Sequence, residues 1–170
     1  MKRPRKHRWP LIVLGIVLIG LGFLREFVFL NVNYILSYKY GWEEEKPRTP
    51  AILEFLYDYS YYTLYQSKWV LTVLFAAIFV AMTLLAIWMA FRKRKFLWWT
   101  LIFFGALLLV AGISFAIGFA LKDVELVYYE KGYRLSRRIL GFIQSPLSVL
   151  VLLPAFRLAQ LRPKAPPPEG

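Results

Sequence analysis

The alternation of apolar and polar positions divides the chain into long apolar runs separated by short charged stretches. Four runs, about 10–32, 69–91, 97–121 and 139–159, are long enough to cross a bilayer as helices. A helix rises about 1.5 Å per residue and the hydrocarbon core is about 30 Å thick, so roughly 20 residues suffice. Between the first two runs, Ile52, Phe55, Leu56, Tyr59 and Tyr62 recur at helical spacing, with Glu54, Asp58, Tyr61 and Tyr65 on the opposite face. Thr49 is a natural N-cap there and Pro50 a good first helical residue. The pattern predicts an amphipathic helix over about 50–66, lying in the membrane interface. The fold class expected is therefore all-α: an integral membrane bundle of four transmembrane helices plus one short interfacial helix. It forms a single domain over 1–162, followed by a disordered Pro-rich tail at 163–170.

Composition agrees with that pattern. Of the chain, 59% is apolar and 18% aromatic, against roughly 45–50% apolar for a typical globular protein. The basic N-terminal stretch ahead of the first run lacks a small-residue cleavage site after it, which reads as an uncleaved signal anchor. The net charge of +12 matters less than its distribution. If the spans alternate, Lys2, Arg3, Arg5, Lys6, Arg8, Arg92, Lys93, Arg94, Lys95, Arg157, Arg162 and Lys164 share one side with a single acid, Glu169. The other side carries nine acids, including Glu43, Glu44, Glu45, Asp123 and Glu125. The positive-inside rule then places both termini and the 92–95 turn in the cytoplasm of a bacterial inner membrane. Arg25, Arg92, Lys93, Arg94 and Lys95 are expected to contact lipid headgroups, and nothing in the charge pattern calls for nucleic acid.

With no cysteine and a single histidine, His7, disulfides, thiolate nucleophiles and histidine-based metal sites within one chain have no residues to use. No carboxylate pair, phosphate loop or cofactor fingerprint appears. The chain reads as a non-enzyme with no cofactor and no metal. The polar residues inside the apolar runs are then the candidates. Glu26 shares a helical stripe with Gly15, Ile19, Gly22 and Asn33, which predicts that it points into the bundle, while Arg25 follows Leu14, Leu18 and Leu21 outward. Glu26 reads as a proton or cation site, or as half of an ion pair with Arg138, or failing that Arg137. In the fourth run Gln144, Ser145, Pro146 and Ser148 mark a polar, kinked face, with a second proline at Pro154. Small residues at Ala77 and Ala81, Gly105 and Gly112, and Ser114 and Gly118 stand where close helix packing would need them. Tyr57, Tyr61 and Tyr65 form either a partner-docking surface or an aromatic belt.

Two stretches carry a family resemblance. The segment from Arg137 to Pro146, closing with Leu153-Pro154-Ala155-Phe156, resembles the last span of the small four-span membrane proteins associated with exosortase F in Bacteroidetes. Leu24-Arg25-Glu26-Phe27 is similar to that family's Arg-aromatic-Glu ending of the first span, although here Arg and Glu are adjacent. The motifs cover about 20 residues, while the layout covers the whole chain. The resemblance implies an accessory protein of a protein-sorting system. It does not imply the sorting peptidase, because exosortases are understood to use a cysteine nucleophile and this chain has none.

The sequence thus points to a non-enzymatic accessory or assembly subunit of an inner-membrane complex for sorting or surface export, partnered by the lipid bilayer and a membrane protein. The alternative is a small oligomeric transporter or channel using Glu26. The sequence leaves homo-oligomerisation open.

Overall fold

In a computed structural model, which describes residues 9–121 and 126–161, the chain is helical with no strand among the described residues. Helix α1 runs Trp9–Tyr40, a 3-10 helix follows at Ala51–Asp58, and α2 and α3 run Tyr61–Phe91 and Arg94–Ala120. Helices α4, Leu126–Ile143, and α5, Leu147–Leu161, complete the chain. Three of these, α1, α2 and α3, are long and apolar enough to cross a membrane. The pair formed by α4 from Glu130 onward and α5 passes the same test together but is bent by 67°. The basic residues 1–8 and the tail expected at 163–170 lie outside the described residues.

Helix ends follow from local chemistry. Gly41 ends α1 at φ 85°, with its amide donating to the Tyr38 carbonyl at 3.0 Å and that of Trp42 donating to Ser37 at 3.1 Å. This paired closure needs a left-handed residue, which glycine adopts at no steric cost. The single interfacial helix expected at 50–66 is two elements. The 3-10 turn stops at Asp58 because Lys39 Nζ donates to the Tyr57 and Tyr59 carbonyls at 2.7 and 2.6 Å. Helix α2 then restarts behind Ser60, whose hydroxyl accepts from the Thr63 amide at 3.2 Å. The spacing pattern was real, but a long-range lysine and a local cap outweigh it. The second acidic stretch, expected as a loop to Arg138, is already helical from Leu126.

The fourth run is broken where the proline stands. Pro146 has no amide to give the Phe142 carbonyl four residues back and disfavours helical geometry at Ser145. The Ser145 hydroxyl takes that carbonyl instead, at 2.7 Å. Pro154, by contrast, is carried inside α5 without a break.

Helices consecutive in the chain pack antiparallel from α1 to α4, whereas α2 and the α4–α5 segment run in the same direction, with Gln144 meeting Thr72, Ser148 meeting Thr83 and Phe156 meeting Phe91. At the end carrying the 41–60 connection, here the loop end, Val32, Ile35 and Leu36 of α1 close on Leu64 of α2 and on Leu56 and Tyr57 of the 3-10 turn. Deeper, Leu14 and Leu18 meet Phe75, Phe79 and Ala86 of α2 and Val149 of α5. Ile87, Phe104, Ile143 and Leu152 join α2, α3, α4 and α5. At the opposite, turn end, Phe156 of α5 packs its ring against Phe91 and Phe96, with centroids 6.1 and 5.0 Å apart. Helices α3 and α4 approach most closely. A Cβ on Gly132 would fall 2.5 Å from the Ser114 carbonyl oxygen and 3.0 Å from Gly118 Cα, and Ser136 Oγ donates to the Ala111 carbonyl at 2.6 Å. The small pair Ser114 and Gly118 therefore serves packing within the chain, as small residues do between helices in lipid. Gly105 and Gly112 face open space, and Ala77 and Ala81 are exposed.

The glycine stripe of α1 does not pack into the core along its length as expected. Gly15 meets nothing and Ile19 is exposed, Gly22 touches Pro146, and Glu26 and Asn33 reach only the edge of a cavity. The Leu14, Leu18, Leu21 and Arg25 face packs inward instead. Bulky leucines fill the space against Phe75, Phe79 and Val149, and dispersion contact favours that face over a bare backbone.

Candidate functional site

The inward turn of α1 brings Arg25, not Glu26, to the centre of the polar structure. Arg25 Nε and Nη2 donate to Gln144 Oε1 at 3.3 and 3.2 Å, and the guanidinium lies 5.1 Å from the centroid of the Phe29 ring. Gln144 is 2% exposed and donates its own amide to the Thr72 carbonyl at 2.7 Å. One carboxamide thus ties α1 to α2 through the α4–α5 break. The break itself makes this reach available, because Gln144 sits at its edge rather than mid-helix.

Glu26 stands at the open edge of the cavity described below, with 73% of its side chain exposed, and pairs with Arg25 at 3.6 Å. The expected Glu26–Arg138 ion pair is absent. Among the described residues the ion pairs are Arg25–Glu26 and Glu130–Arg134 on the surface of α4. Arg137 and Arg138 are both exposed, and of the two only Arg137 lines the cavity described below. The one-residue difference between Arg25 and Glu26 turns each by about 100° on a 3.6-residue helix, so reading the wrong stripe as buried exchanged their roles. The expectation that Arg25 reaches headgroups is corrected for the same reason: it finds an acceptor and a ring face inside.

Of the polar face expected in the fourth run, Gln144 alone opens on the cavity. Ser148 is fully buried, shares a 3.3 Å hydrogen bond with Thr83 and donates to the Ser145 carbonyl at 3.1 Å. Ser145 repairs the break, and Pro146 packs on Gly22. No buried side-chain nitrogen or oxygen among the described residues lacks a partner, as a bilayer requires.

A cavity of about 480 Å³ lies between α1, α2, α3 and α4 on the loop-end side of Gln144. Among the described residues three cations line it, Arg25, Lys68 and Arg137, with Glu26 the one carboxylate. The charge of Arg137 acts on both Arg25 and Lys68. Phe29, Leu108, Phe115 and Leu140 supply apolar wall, and Tyr65, Trp69 and Tyr133 stand toward the loop end. Lys68 and Thr72 were not singled out in the sequence. Lys68 looks there like an ordinary charged flank of the second apolar run, and Thr72 contributes only a backbone carbonyl.

The three tyrosines separate. Tyr57 is half-buried, its hydroxyl donating to the Pro47 carbonyl at 2.8 Å under a Lys46 ammonium 4.3 Å from its ring. Tyr61 and Tyr65 belong to a continuous ladder of exposed rings. Trp42 to Tyr40, Tyr40 to Tyr61, Tyr61 to Tyr65 and Tyr65 to Trp69 have centroids 4.6, 5.6, 6.3 and 6.3 Å apart. At the turn end, Arg92, Lys93, Arg94 and Lys95 are all exposed. Arg92 there takes a left-handed conformation, φ 51°, to close α2.

Comparison of the chain with protein-family models, with curated proteins and with solved structures found no match. The arrangement has to be read from its own chemistry.

Proposed function

We propose that the chain crosses the membrane four times, with α4 and α5 as one broken span and both termini cytoplasmic. In this reading it serves there as a non-enzymatic accessory or assembly subunit of a larger membrane complex. The exosortase-associated resemblance makes a protein-sorting or surface-export system the setting. The observation that carries the reading is the ring ladder from Trp42 to Trp69. Tyrosine and tryptophan offer large, rigid contact area at low entropic cost and are over-represented at protein interfaces. Here five of them stand exposed in a row, running from the extramembrane connection onto the face of α2. Rings that only marked the interface would serve singly at the same depth, whereas this ladder continues along the helix axis.

Co-purification in mild detergent tests it. A photo-crosslinking residue at Tyr61 or Tyr65 should capture the same membrane protein from native membranes, and Trp42→Ala with Tyr61→Ala should lower that yield at least fivefold. Recovery of a lone monomer from both crosslinking positions would contradict the assignment. The transporter reading draws on the cavity beside Glu26 and the helix break. It expects an ion flux in proteoliposomes that Glu26→Gln abolishes.

A further inference from the structure

The cavity at the α4–α5 break holds more positive charge than the described carboxylates neutralise. Glu26 is already engaged with Arg25, and no carboxylate among the described residues lies within ion-pair distance of Lys68 or Arg137. Like charges gathered in a partly buried space repel, and an uncompensated cation near hydrocarbon is costly. The site is therefore electrostatically complementary to an anion.

Its depth narrows which anion. Thr72, whose carbonyl takes the Gln144 amide, lies about 28 Å along α2 from Phe91 at the turn end, counting about 1.5 Å per residue. With a hydrocarbon core about 30 Å thick, the Arg25–Gln144–Thr72 level falls at the hydrocarbon boundary of the leaflet on the loop-end side. Lys68 stands one helical turn further out, at headgroup level. The apolar side of the cavity continues outward in the same direction as the lipid, because Leu108 and Phe115 line it while remaining exposed on the bundle surface. Cations at the headgroup level above an apolar wall that runs out to the bilayer match an amphiphile with an anionic head.

We infer that this cavity binds the phosphate headgroup of a membrane lipid, held between Arg25, Lys68 and Arg137, with the acyl chains lying along Leu108 and Phe115. Guanidinium groups suit phosphate oxygens because they present several donors in a fixed plane, and lysine adds a compact charge. The site works as a lipid anchor point whether or not the chain has a protein partner.

The test uses the full chain purified in mild detergent and titrated separately with phosphatidylglycerol, phosphatidylcholine and inorganic phosphate. The readouts are the unfolding midpoint and bound lipid by native mass spectrometry. Phosphatidylglycerol should raise the midpoint and remain bound at concentrations where phosphatidylcholine does neither. Each cation near an anionic headgroup contributes roughly fivefold in affinity. Lys68→Gln with Arg137→Gln should therefore raise the half-saturating lipid concentration about thirtyfold. The charge-matched pair Lys131→Gln with Arg157→Gln, both exposed and outside the cavity, should leave it unchanged. Arg137→Gln alone leaves the Arg25–Gln144–Thr72 hydrogen bonds in place and should show about a fivefold loss even if the double variant does not fold. Equal binding of the two lipids, or undiminished binding by Arg137→Gln, would overturn the proposal. An equal response to inorganic phosphate at the same concentration would overturn the lipid assignment in favour of a free anion.

Discussion

Arg25 and Glu26 stand side by side in sequence and do opposite things. Arg25 is 24% exposed in its side chain and is held by a buried carboxamide, whereas the Glu26 carboxylate is mostly in the open. Hydrogen bonds to a charged group contribute about 1.5–3 kcal/mol, while exposed ion pairs contribute about 0–1 kcal/mol. Gln144→Leu should therefore destabilise the protein by about 1.5–3 kcal/mol, and Glu26→Gln by less than about 1 kcal/mol, in detergent unfolding titrations. Combining Arg25→Met with Gln144→Leu should cost clearly less than the sum of the two single changes, because neither is then left with an orphaned partner. Additive effects would show that Arg25 and Gln144 do not depend on one another. That the first apolar run carries two adjacent ionisable residues was legible in the sequence. Which of the two faces inward was not, because the glycine stripe and the leucine stripe of α1 are both regular, and the choice depends on what Phe75, Phe79 and Val149 bring to meet them.

The three long apolar helices and the break near Pro146 could be read from apolar run length and from proline's missing amide, whereas the polar first half of α4 could not. The interfacial element could not, because its end is set by Lys39, a residue on another helix, reaching back to the Tyr57 and Tyr59 carbonyls. Close packing was legible only as a list of small residues, and the structure separates those that touch from those that do not. Gly132 has no room for a methyl group, since the nearest atoms are α3 backbone that cannot move aside cheaply. Gly132→Ala should force α3 and α4 apart at a cost of about 1–3 kcal/mol. Gly105→Ala meets open space and replaces a poor helix former, so it should be neutral or stabilising by up to about 1 kcal/mol. Thermal unfolding of the two variants side by side decides this, and equal behaviour would contradict the assigned α3–α4 contact.

At the scale of the whole molecule, charge and hydropathy bear on an arrangement that local structure alone leaves ambiguous. A 67° bend at a short break suits either a broken span or a segment that enters and leaves on the same side. The packing of Phe156 on Phe91 and Phe96 favours crossing, because it carries the end of α5 to the α2–α3 turn. The basic residues after the break, Arg157, Arg162 and Lys164, favour it as well, because the positive-inside rule groups them with the basic 92–95 turn. Three single cysteines, at positions 44, 94 and 160, introduced one at a time into this cysteine-free chain, measure it directly. With a membrane-impermeant thiol reagent applied to intact cells, position 44 should label, whereas positions 94 and 160 should label only after the membrane is opened. Labelling of position 160 together with 44 in intact cells would show that α4 and α5 turn back rather than cross, and would contradict the four-span account.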